Sequence, residues 1–301
     1  MQDGRTTATA IGTLPVITSD GASAELLWVC PAGEIRQLLY WLPAMGVAAK
    51  HYLPLAQALA ARGIAVALHE WRGIGSSNQR AGRRCDWAYR ELLTQDIPAG
   101  LALARAQLPS STGCLIGGHS LGGQLASLYA SLHPAEVAGI VLVASGSPYW
   151  RRFKHGWLIG LGYVVAPWLA RLWGRFPGRQ IGFAGNEARH VIADWARSGR
   201  SGRYAAAGMA KNFEQQLLAL EQPVLGLRMR DDWFNPAASM NSLLGKMPKA
   251  PHEHEVIEPH DLQGIAADHF SWMKVPDTVA ERIAQWMRLY AESGWREAHE
   301  H

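Results

Sequence analysis

A serine framed by glycines, Gly117-Gly118-His119-Ser120-Leu121-Gly122-Gly123, is the stretch of this chain best suited to covalent chemistry. It follows the apolar run Cys114-Leu115-Ile116 and precedes a helical pattern over 124–132. Strand, tight turn with a serine at its tip, then helix is the layout of a nucleophile elbow. The glycines have a steric purpose. Side chains two positions before and after the serine, at Gly118 and Gly122, would collide with the neighbouring strand and helix. A serine hydroxyl is a weak nucleophile at neutral pH, so it needs a base within hydrogen-bond reach and an acid to orient that base. In a chain with 31 glycines the five-residue pattern alone carries little weight. The partners must be found elsewhere in the chain.

Behind a nucleophile elbow the acid precedes the histidine along the chain. Asp231 and Asp232 follow an apolar strand pattern over 223–229. Asp232 is the expected acid and Asp231 the reserve; the bland alternative is that both cap the helix beginning near Pro236. His269, in Ala267-Asp268-His269-Phe270-Ser271-Trp272, is the expected base. His260 fits the same window, but reads better as an exposed loop residue. His252 and His254 alternate on a strand edge without a third ligand, so no metal is expected. His119 reads as a structural neighbour of Ser120 rather than a base. An oxyanion hole needs two backbone N–H donors. Leu121, directly after the serine, should supply one. Met45, in the loop after the strand pattern at 36–42, should supply the other.

The elements that must position these groups alternate. Strand patterns at 13–18, 24–30 and 36–42 open the chain, the first two as an antiparallel edge. Helix at 50–61, strand at 64–69 and a long helix at 89–108, kinked at Pro98, come next. Strand 113–118, helix 124–132 and strand 137–144 surround the elbow. After a break, strand 223–229, helix 236–244, strand 253–258 and helix 276–292 complete the pattern. Apolar strands alternating with helices predict an α/β fold with a doubly wound, mostly parallel sheet. Residues 147–215 interrupt it with helical patterns at 158–173 and 189–197 and no clear strand. They read as an inserted helical cap, or lid, on a core made of 1–146 and 216–301.

Length and composition set limits. The chain has 301 residues, 48% of them hydrophobic and 18% charged, enough for one large domain with a lid. Cys30, Cys85 and Cys114 are odd in number and far apart, so neither a disulfide framework nor a zinc spacing is visible. The N-terminal residues 1–13 show no leader pattern, and no apolar run is long enough to span a bilayer, so a cytoplasmic location is expected. The oligomeric state is not legible.

With the elbow, the Asp231-Asp232 pair and the His269 loop in hand, the chain resembles the α/β-hydrolase superfamily, and within it a bacterial group of predicted α/β hydrolases carrying a cap. The similar stretches are Leu42-Pro43-Ala44-Met45-Gly46-Val47, Trp71-Arg72-Gly73-Ile74-Gly75-Ser76-Ser77, Gly117 to Gly123, Ala144 to Trp150 and Asp231-Asp232. The family's Gly-x-x-Asp pattern aligns Met229 with its glycine and Asp232 with its acid. Its His-Gly pair in the oxyanion loop is replaced here by Pro43-Ala44, which leaves the second donor open by one residue. The resemblance implies the core fold, the triad Ser120, Asp232 and His269, and the oxyanion loop. It implies no substrate, because members include esterases, lipases, thioesterases, amidases, peptidases and acyltransferases.

The cap carries the charge. Residues 147–210 hold ten basic side chains and two acids, a net +8, while the whole chain is only +4. Such a surface can attract anionic substrates, rest on an anionic membrane through Trp157, Trp168 and Trp173, or simply be solvated. Nucleic-acid binding has no motif behind it. The expected activity is cofactor-independent serine hydrolysis of a small-molecule ester or thioester with an apolar acyl part. An acyltransferase with the same triad and a non-catalytic ligand-binding member of the fold are the rivals.

Overall fold

The computed structural model describes residues 9–293; residues 1–8, part of the N-terminal stretch searched for a leader, lie outside it, as do residues 294–301 at the end of the expected core. The chain opens with β1 (Ala10–Ile17), β2 (Ser23–Cys30) and β3 (Gln37–Leu42), then α1 (Leu53–Ala60) and β4 (Ile64–Leu68). Next come α2 (Tyr89–Glu91), a π-helical turn at Leu92–Asp96, and α3 (Ile97–Arg105). Strand β5 (Gly113–His119), helix α4 (Leu121–Leu132) and β6 (Ile140–Val143) follow. The chain then leaves the sheet for α5 (Gly156–Trp173), β7 (Phe176–Pro177), α6 (Gly178–Ile181), β8 (Asn186–Glu187), α7 (Arg189–Ser201) and α8 (Phe213–Ala219). It returns through β9 (Val224–Met229), α9 (Ala237–Leu244), β10 (His252–Ile257) and α10 (Asp277–Ser293).

Eight strands form one sheet in the order β1-β2-β4-β3-β5-β6-β9-β10. Strand β2 pairs antiparallel with β1 and β4, as the first two strand patterns predict for an edge. All other pairs are parallel. The inner strands β3, β4, β6 and β9 are buried at every residue, which is why they read as continuous apolar runs. Helices α1 and α10 cover one face around Leu39, Trp41, Leu227 and Trp286. Helices α3, α4, α8 and α9 cover the other around Tyr40, Leu142, Leu217 and Met240.

Two local features differ from the sequence pattern. The predicted kink at Pro98 is a π turn. Proline has no N–H to give to the carbonyl four residues back, and widening the preceding turn absorbs that loss. The stretch between β6 and β9 also contains a strand pair. Strands β7 and β8 pair Phe176 with Glu187 and Pro177 with Asn186, two residues each and too short to leave a periodic trace. Helices α5 and α7 pack through the edge of Tyr163 against Trp195, at a centroid distance of 4.7 Å. Buried Asp194 on α7 accepts from the backbone N–H of Tyr89 and of Ala207, tying α7 to α2.

Candidate active site

Ser120 sits at the C-terminal edge of the sheet, between β5 and α4. Its φ of +55° is a left-side conformation that a non-glycine residue adopts only under constraint. The constraint is visible on both sides. The Ser120 N–H donates to the Val143 carbonyl, and its own carbonyl accepts from Ser145 Oγ at 2.7 Å. A Cβ on Gly118 would lie 2.4 Å from the Gly122 backbone, and one on Gly122 would lie 2.0 Å from the Leu42 carbonyl oxygen. Both positions therefore exclude side chains, for the reason the sequence suggests.

The structure brings Asp232 and His269 together. Asp232 follows β9, and its Oδ2 lies 2.7 Å from His269 Nδ1. Its Oδ1 accepts from the N–H groups of Phe234 and Asn235 at 2.8 and 3.0 Å, which fixes the carboxylate. Both side chains are buried, at 0% and 7% exposure. Asp231 has another task. Its N–H donates to the Ala267 carbonyl and its Oδ2 accepts from the Ala267 N–H, so it ties the β9 loop to the loop bearing His269. Trp272 Nε1 donates to the His269 carbonyl, and Asp268 caps the turn that follows. The rings around His269 are His119, Phe234 and Phe270, with centroids at 4.7, 5.0 and 4.8 Å. His260 stands apart, with its side chain 80% exposed on the turn after β10. His252 and His254 are exposed on β10, and no group of three potential metal ligands occurs among the described residues.

The loop after β3 is pinned by two side chains, Trp71 and Tyr52. Trp71 Nε1 donates to the Pro43 carbonyl at 2.9 Å. The Ala44 N–H donates to Tyr52 Oη at 2.9 Å, and Tyr52 Oη also lies 2.9 Å from His119 Nδ1. With one of its acceptor sites taken by Ala44, the Tyr52 hydroxyl is free to donate its proton to His119. Burial, reinforced by the nearby His269, holds His119 well below its ordinary pKa, so it is a neutral acceptor. This bond consumes the Ala44 donor. The Met45 N–H, one residue on, finds no acceptor among the described residues. Leu121 opens α4, where the first N–H groups have no intrahelical partner.

The segment between β7 and β8 reaches this centre. A Cβ on Gly46 would lie 2.1 Å from the Gly185 nitrogen, so the two backbones touch. Phe183 stacks on Phe234 with an interplanar angle of 27°. Glu187 is buried beside them, its Oε1 accepting from the Gly185 N–H, and burial pushes its pKa up to about 7. Tyr52, Phe183, Phe234 and Glu187 were not singled out by motif or spacing. They are ordinary residues brought in by the fold, and only Phe234, two residues after Asp232, had a positional hint. A separate cavity of about 410 Å³ opens beside the loop after β4, with Arg80, Arg175, Arg179 and Asn186 among its lining residues; neither Ser120 nor His269 borders it.

Comparison with known proteins agrees with this architecture. No curated protein matches the sequence. A monoglyceride lipase from Saccharomyces cerevisiae, solved as a soluble variant with a substrate analogue, is 19% identical, with 96% of this chain and 97% of that one covered and a TM-score of 0.66. A putative lipase from Acinetobacter baumannii is 15% identical over 94% of this chain and 93% of that one, with a TM-score of 0.67. An esterase from Thermogutta terrifontis is 17% identical over 93% and 99%, with a TM-score of 0.60. At these identities the likeness is one of fold. The profile of the family described as serine aminopeptidase, S33, matches residues 33–194, more than half of the chain and inclusive of the elbow. The chain therefore belongs to the serine aminopeptidase S33 family of α/β hydrolases.

Proposed function

We propose that the protein is a cofactor-independent serine hydrolase acting on a carboxylic ester or thioester with an apolar acyl part. The observation that carries the reading is the Asp232–His269 pair, buried and 2.7 Å apart, on the same sheet edge as a serine held at positive φ. Ser120 attacks the carbonyl carbon while His269 takes the hydroxyl proton through Nε2. Asp232 keeps Nδ1 protonated and stabilises the imidazolium. The N–H groups of Leu121 and Met45 receive the oxyanion. His269 then passes its proton to the leaving group, and water releases the acyl group by the reverse sequence. Within the cap of residues 147–215, the segment 183–185 shapes the acyl side. The rings of Phe234 and Phe270 beside His269, with Phe183 stacked over Phe234, give that side its apolar character.

Labelling by a fluorophosphonate tests the nucleophile. Wild type is expected to label and Ser120→Ala to stay unlabelled; equal labelling removes Ser120 from the mechanism. A panel of p-nitrophenyl esters, acyl thioesters and aminoacyl anilides, run with and without alcohol acceptors, then separates hydrolysis of esters from peptidase action and from acyl transfer.

A further inference from the structure

Helix α5 turns an apolar side away from the protein. Trp157, Leu161, Val164, Val165, Trp168 and Leu172 recur at the spacing of one helical face, and all are exposed, Trp157 at 63% and Trp168 at 70%. The opposite side buries Tyr163, Ala166 and Ala170. An amphipathic helix on a water-soluble domain ordinarily has its apolar face against the core. Here both faces are apolar, and the outer one runs from Trp157 to Leu172, about 22 Å of helix.

The charges decide what covers it. Residues 150–186 contain Arg151, Arg152, Lys154, Arg171, Arg175 and Arg179 and no aspartate or glutamate. Arg151, Arg152 and Lys154 precede α5 and Arg171 lies in its last turn, all four exposed, so the apolar face is basic at both ends; Arg175 and Arg179, which follow, line the cavity beside the loop after β4. A second copy of the chain would set these like charges against each other. An anionic lipid surface neutralises them and accepts the indole rings at the headgroup boundary. No helix among the described residues is long and apolar enough to cross a membrane, which leaves α5 to lie in the plane of the interface.

We propose that α5 seats the protein on an anionic phospholipid bilayer, with Trp157 and Trp168 at the headgroup boundary and the flanking bases at the phosphates. The inference goes beyond the hydrolase reading and does not depend on turnover. It does place the docked helix in the same inserted segment as Phe183 and Gly185, which touch the candidate active site.

The test is co-sedimentation of the full chain with vesicles of phosphatidylcholine alone, or of phosphatidylcholine and phosphatidylglycerol at roughly three to one. Wild type and Ser120→Ala are both expected to bind the anionic vesicles, roughly tenfold or more above the neutral ones and less as salt rises. Trp157→Ser with Trp168→Ser is expected to lose binding by roughly tenfold or more. Its thermal midpoint and its activity on a water-soluble short-chain ester should stay as in wild type. Arg151→Glu with Arg152→Glu, both at exposed positions, carries the same test if the tryptophan variant does not fold. Wild type that stays in the supernatant with anionic vesicles overturns the proposal, as does a folded tryptophan variant that binds like wild type. A dimer in sedimentation velocity that the tryptophan variant splits, without vesicle binding, gives the face to a second copy instead.

Discussion

His269 Nδ1 lies 2.7 Å from Asp232 Oδ2, while the adjacent carboxylate of Asp231 is engaged with the backbone of Ala267. Two consecutive aspartates thus have separable tasks. Asp232→Asn keeps the shape but presents a donor where Nδ1–H needs an acceptor, so kcat should fall by roughly 10³–10⁴. Asp231→Asn should hold kcat within a few-fold and cost about 1 kcal/mol of stability through its loop hydrogen bond. Steady-state kinetics and urea unfolding of the two variants, side by side, check the division; equal kinetic losses would reject it.

Tyr52 joins the loop after β3 to the elbow, because its hydroxyl contacts both the Ala44 N–H and His119 Nδ1. Tyr52→Phe leaves that buried N–H without an acceptor and lets the loop shift. We expect kcat to drop by roughly tenfold with KM little changed, since the donor proposed at Met45 would act chiefly on the developing oxyanion. A change confined to KM would place Tyr52 outside this chain of contacts.

Phe183 reaches the centre from the inserted segment by stacking on Phe234. Phe183→Ala should raise KM for long-chain acyl substrates by roughly five- to tenfold and spare kcat on acetyl esters. Uniform losses across chain lengths would make the ring a structural prop.

Glu187 has its folded pKa raised by burial from 4.5 to about 7. The folded state therefore holds a proton that the unfolded chain releases between these values, and stability declines as pH rises from about 4.5 to about 7. Glu187→Gln keeps an acceptor for the Gly185 N–H without the ionisation. Its unfolding free energy in urea should match wild type near pH 4.5 and exceed it at pH 8, by a difference on the order of 1–3 kcal/mol. A gap that does not change with pH would mean that Glu187 is ionised at no cost.

The core was legible because its signals are local. Inner strands buried on both faces leave apolar runs, and an elbow that tolerates no Cβ leaves glycines at fixed spacing. The Asp232–His269 pair was legible through chain order, although the residues lie 37 apart. The family's Gly-x-x-Asp pattern selects Asp232 over Asp231, and the pairing with His269 follows it; what two adjacent aspartates do not express is the bond that Asp231 makes to the Ala267 backbone instead. The contacts of Tyr52, Phe183 and Gly185 are long-range and without periodicity, so they appear only once the loops are placed. The outward side of α5 was left open among three readings for a different reason. Helical spacing gives the apolar face, but not whether that face looks in or out.

The backbone contact between Gly46 and Gly185 sets a rule for anyone recasting the specificity of this protein. A crossing that admits no side chain cannot be carried by an arbitrary graft. Exchanging the segment whole would discard the partner that Gly46 is shaped to meet, and the loop after β3 would lose its ceiling. Side-chain changes at Phe183 and Phe234, with the backbone crossing of Gly46 and Gly185 retained, keep that fit and leave the rings beside His269 open to redesign.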